Sequence, residues 1–189
     1  MKKVLTKTII FLGYFAGLFL LSRISSLSLS LSFFSSFAID LTLWFVGAMV
    51  GVHFIKLDQL FYVYITRPTE SFSLEVKRLV AEKKLSKVWN LLDEKVLEQP
   101  ELASRSFLFQ IGWFVLAVFT VTSYAGLFGQ ALVLGIGLKL LLEEWESYLS
   151  INNFSWAFWQ IKREVGVPEQ KTYLYIMTGL FLILTLLII

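Results

Sequence analysis

The sequence predicts an all-α membrane protein of about five transmembrane helices, with a short cytoplasmic helical hairpin and an interfacial aromatic helix. Three observations predict it. Hydrophobic residues make up 57% of the 189, against about 45–50% in ordinary soluble domains, and mean hydropathy is +0.71. The apolar residues gather into runs near 8–22, 37–55, 106–122, 125–142 and 172–189, each close to what a helix needs to cross a hydrocarbon layer about 30 Å thick. Of the seventeen Lys and Arg, all but Arg23 and Lys139 fall on segments that one orientation places together, as cytoplasmic loops require. That orientation puts the N-terminus in the cytoplasm and the C-terminus outside, in a plasma or inner membrane, with residues 1–189 as a single membrane domain.

The elements follow in order. Lys2, Lys3 and Lys7 precede the apolar run 8–22, which has no small-x-small cleavage site after it and reads as an uncleaved signal anchor. Gly13 and Gly17 lie on one face of it, at the spacing that lets two helix backbones approach. Residues 24–36 alternate Ser and Leu. A lone strand has no ladder partner, so a short external connection is expected there. The run 37–55 carries Asp40, His53 and a second pair at helical spacing, Gly47 and Gly51. Apolar character continues to Ile65, and a helix over 37–66 would be about 45 Å long, so it either projects from the membrane or bends along its surface.

Residues 69–104 read as a soluble helical insert. Leu74, Leu79 and Val80 mark one amphipathic helix, and Leu85, Val88, Trp89, Leu92 and Val96 a second, with Ser86 as its N-cap and Pro100 beyond its end. Spans three and four, 106–122 and 125–142, are joined by a tight turn, and small residues Ala125, Gly129, Ala131 and Gly135 stripe the fourth. In 143–171, Phe154, Trp156, Phe158 and Trp159 precede Lys162 and Arg163, a pattern that suits a helix lying on the inner leaflet. Pro168 and Glu169 open the last helix favourably.

Composition also excludes chemistry. With no cysteine, disulfides, thiolate nucleophiles, Fe–S clusters and Cys-ligated zinc are ruled out. With one histidine, an imidazole-built metal site within one chain is not expected. No serine-hydrolase elbow, zincin, phosphate-loop or dinucleotide motif occurs, and Asp40 and Asp58 lie near opposite membrane faces, too far apart to share a proton. No enzyme activity and no cofactor are expected. The expected partners are the lipid bilayer and a protein partner or second copy, not nucleic acid.

Polar residues at membrane depth are the remaining candidates. His53, Gln110, Lys139 and Glu143 fall at similar depth near the cytoplasmic face, and Arg23 and Asp40 share a depth near the outer face as an ion pair. The cytoplasmic set is either the mouth of a polar vestibule or a set of ordinary pairings. In the second reading Lys139 snorkels to Glu143 and His53 exchanges a hydrogen bond with Gln110. The second is preferred, because each residue lies within a turn or two of an interface, where polar groups cost little.

The strings GIGLKLLLEEW and FWQIKREV, and the element order from about Ile55 onward, resemble small multi-span membrane proteins of candidate-phylum bacteria. The resemblance implies a bacterial inner-membrane setting and no activity or site residue. The hairpin between two spans is also similar in outline to membrane insertases of the Oxa type. Their groove uses a buried arginine, however, and spans two to four here contain none. The expected function is therefore a non-enzymatic structural or accessory membrane subunit, with a small transporter or channel-like protein as the alternative.

Overall fold

A computed structural model describes residues 2–23, 31–95, 99, 102–123 and 125–188. Among these residues every regular element is helical: α1 (Lys2–Arg23), α2 (Leu31–Phe61), α3 (Ser71–Ala81), α4 (Leu85–Glu94), α5 (Phe107–Thr122), α6 (Leu127–Ile151) and α7 (Val167–Leu186). Two stretches, Thr6–Arg23 and Ser35–Thr66, are long and apolar enough to cross a membrane. The apolar α5 is shorter, and α6 is interrupted by Lys139 and closes on the carboxylates Glu143, Glu144 and Glu146. The alternating residues 24–30, with Val96 and Pro100, lie outside the described residues.

Helix α6 is the axis of the bundle, packed against α2, α5 and α7. Its closest neighbour is α2, and glycine explains why. A Cβ on Gly135 would stand 2.6 Å from the Ala48 carbonyl oxygen, and Gly47 and Gly51 face the α6 backbone at Phe128 and Leu132 just as closely. The small residues Gly135 of α6 and Gly47 and Gly51 of α2 therefore bring the two helix backbones together. In contrast, a Cβ at Gly13 or Gly17 would meet nothing among the described residues, so the same spacing in α1 brings no helix backbone close to it there.

Four indoles tie the helices across their seams. Trp44 donates to the Phe15 carbonyl at 3.0 Å, Trp113 to that of Val133 at 2.8 Å, Trp145 to Thr178 Oγ1 at 3.0 Å and Trp156 to Ser147 Oγ at 3.3 Å. Trp44 and Trp113 are buried and Trp145 and Trp156 half-buried, each with its one polar atom satisfied. Tyr14 and Thr185 share a hydroxyl contact of 2.6 Å that joins α1 to α7. Lys7 meets Glu146 at 2.5 Å and Arg23 pairs with Asp40. The chain thus runs up and down, with the starts of α1, α5 and α7 and the lower part of α2 and α6 at one end, called here the Lys7 end.

Two elements differ from the sequence expectation. Helix α2 begins at Leu31, six residues earlier than the apolar run, because a helix satisfies its own backbone where a lone strand could not. It continues 31 residues, about 46 Å, and runs into a π-helical turn at Tyr62–Thr66, so the segment 57–66 continues the helix. The aromatic stretch is not a surface helix. Asn152 takes a left-handed conformation (φ 49°) that ends α6 and turns the chain back beneath the bundle, and a short 3-10 turn buries Phe154, Ala157 and Phe158 against Leu174. Of that stretch Trp159 is left exposed. Helix α7 then starts at Val167, its Gly166 N–H donating to the Glu169 carboxylate at 3.1 Å.

The insert folds as a hairpin against the lower part of α2. Its seam is Phe72, Val76, Val88 and Leu92 around Val63 of α2's π-helical turn, with Leu79 and Val80 partly buried beside it. Leu74, Leu85 and Trp89 stay exposed, and α4 starts at Leu85, ahead of Ser86. Its turn is closed as a Schellman motif. Lys83 N–H bonds the Val80 carbonyl at 2.9 Å and Lys84 N–H that of Leu79 at 3.0 Å, which requires Lys83 in the left-handed region at φ 56°. Only glycine adopts that conformation without a Cβ penalty. Lys83→Gly is therefore expected to stabilise the hairpin by about 0.5–1 kcal/mol, read as slower amide exchange across α3 and α4.

Candidate functional site

The polar residues at the Lys7 end form a buried cluster between the lower ends of α5, α6 and α7. It is built outward from a turn. Asp58 of α2 accepts from the Ser104 N–H at 2.8 Å and its hydroxyl at 2.7 Å, holding the 3-10 turn Ala103–Arg105 under the bundle. Ser106 then caps α5 by accepting from Phe109 N–H at 3.2 Å, the side chain its residue type favours at an N-cap. This geometry sends Arg105 inward, where it is 2% exposed.

There its guanidinium lies 3.8 Å from the centroid of the Trp156 ring and 3.0 Å from Glu143. Lys139, one turn earlier on α6, holds the other Glu143 oxygen at 3.0 Å. One carboxylate is thus flanked by two cations. The next residue, Glu144, is fully buried and, among the described residues, has no cation within ion-pair distance. One of its oxygens accepts from Gln110 Nε2 at 2.6 Å, and Gln110 Oε1 accepts from the Tyr173 hydroxyl at 2.5 Å. The second Glu144 oxygen has no hydrogen-bond partner.

Of the residues singled out in the sequence, Gln110, Lys139 and Glu143 meet here, and Arg23 meets Asp40 at the opposite end. His53 stands apart. Its ring stacks on Trp89 of the hairpin at 5.7 Å, its Nδ1 lies 2.8 Å from the Met49 carbonyl, and Lys56 sits over the same indole at 4.5 Å. Equal depth placed His53 with Gln110, but helix rotation turns it away: Gln110 bonds Glu144 and Tyr173 instead. Arg105, Glu144, Trp156 and Tyr173 complete the cluster. Tyr173 could have been drawn in by depth, one turn into the last helix; Arg105 reads in sequence as a loop residue before a cap.

These side chains bond and pair with one another between the helices, so the arrangement holds buried charge inside the bundle. No family model matches the chain, and neither a curated protein nor a solved structure does.

Proposed function

We propose that the chain is an integral membrane protein whose helices α1, α2, α5, α6 and α7 span the bilayer, N-terminus inside and C-terminus outside, and that it serves as a structural or accessory subunit rather than an enzyme. The observation that carries the membrane reading is the apolar exterior. Ile9, Leu12 and Leu20 on α1, Ile39, Val46 and Met49 on α2, Ile111, Val115 and Phe119 on α5, and Ile176, Ile183 and Leu186 on α7 are all exposed. A helix of a water-soluble bundle shows polar residues on its outer face, and apolar surface this extensive needs a nonaqueous neighbour. The positive residues gathered at the Lys7 end support the orientation.

The subunit reading rests on the polar cluster. A transport vestibule needs polar groups facing open space, whereas Arg105, Glu143, Lys139, Gln110 and Tyr173 are engaged with one another, and His53 faces the hairpin. Purified protein in liposomes is expected to leave ion and proton gradients intact while affinity capture from membranes brings down a partner. Solute flux abolished by Lys139→Ala would reverse the assignment to the transporter class.

A further inference from the structure

The hairpin folds back toward the bundle, and its contacts fix the direction. Gln59 Nε2 donates to the Leu92 carbonyl at 2.9 Å, and Trp89, one turn earlier on α4, meets Lys56 and His53. Moving from Leu92 to Trp89 therefore climbs α2 from Gln59 toward His53. Leu85 and the turn Glu82–Lys84 lie about one further helical turn along. Four cations surround that tip, Arg78, Lys83, Lys84 and Lys87, all exposed. The carboxylate among them, Glu82, is held by Lys84 at 2.6 Å and Arg78 at 4.0 Å. In their midst Leu85 is 65% exposed, and Trp89 on the same face of α4 is 39% exposed.

An apolar side chain ringed by cations, beside an indole, is the chemistry of an anionic lipid–water boundary. We propose that the hairpin tip docks on anionic phospholipid headgroups of the inner leaflet, Lys83, Lys84 and Lys87 meeting the phosphates while Leu85 enters the acyl region. This rests on the membrane reading above, which puts His53 and Lys56 at the depth of those headgroups. Each lysine close to an anionic surface strengthens the docking equilibrium by about fivefold at modest ionic strength, and salt weakens it.

Because the natural chain has no cysteine, Leu85→Cys carries a spin label at one position in the full-length protein. In vesicles of phosphatidylcholine the label is expected to collide freely with a water-soluble nickel chelate. Adding phosphatidylglycerol is expected to shift it to oxygen-rich, chelate-poor collisions, and Lys83→Gln, Lys84→Gln and Lys87→Gln together are expected to abolish the shift. A label that stays in water in both vesicles overturns the proposal and leaves the tip to a soluble acidic partner. A label immersed equally in both, and indifferent to the three substitutions, overturns it as well. A second label at Val115→Cys, on the outer face of α5, separates the two claims. Immersed in both vesicle types, it upholds the membrane reading whatever Leu85 does; in water, it brings down both.

Discussion

Arg105→Ala is expected to destabilise the protein by about 2–4 kcal/mol, somewhat below the cost of leaving a buried charge wholly unpaired. The loss has two parts. Glu143 loses one of its two flanking cations and is left with Lys139, which is less buried than Arg105, and the Trp156 ring loses the guanidinium stacked on it. Melting in detergent should fall by about 10 °C, taking roughly 2–4 °C per kcal/mol for a chain of this size. Arg105→Met combined with Glu143→Gln and Lys139→Met should recover much of that loss, because removing all three charges also removes their desolvation cost. If the triple substitution is as unstable as the single one, the ion pairing is not what Arg105 contributes.

Gly135→Val is expected to be as disruptive, through packing rather than charge. Where its Cβ would stand 2.6 Å from the Ala48 carbonyl, the obstacle is backbone on both sides, so no side chain can swing away. Overpacking a tight core usually costs about 1–3 kcal/mol, and two backbones forced apart along the α2–α6 seam should place this change at or above the upper figure. Gly13→Val and Gly17→Val provide the contrast. Nothing lies within reach of their added carbons, and thermal melts within about 0.5 kcal/mol of the natural protein are expected.

That contrast also shows where sequence reading stops. Gly13/Gly17 and Gly47/Gly51 have the same spacing, and only the tertiary partner of each face separates them. The all-helical class was legible because apolar run length and helical period act on whole segments. So was the insert, whose second helix has a clear amphipathic period. Its first helix was read partly onto the wrong face: Leu74 fits the period but stays in the open, while Phe72 and Val76 take the seam around Val63.

In the polar cluster, Gln110, Lys139 and Glu143 sit close together in the structure, but position along the chain could not give helix rotation, which turns His53 to Trp89. Arg105 lay in a segment with no period to read, and its burial depends on Asp58, 46 residues earlier in sequence, gripping Ser104. The aromatic stretch at 154–159 was ambiguous for a different reason. Rings beside basic residues suit a lipid boundary equally well as a plug, and the left-handed turn at Asn152 decides for the plug.

The direct test of the five-span bundle is cysteine labelling of intact and inverted membrane vesicles. Ser36→Cys, Glu94→Cys and Lys162→Cys each introduce one exposed thiol into a chain that has none. An impermeant maleimide is expected to label Ser36→Cys from the outer side alone, and Glu94→Cys and Lys162→Cys from the cytoplasmic side alone, with all three proteins retained in the membrane after an alkaline wash. Labelling of all three from one side, or release of the protein by the wash, would contradict the bundle's placement across the bilayer.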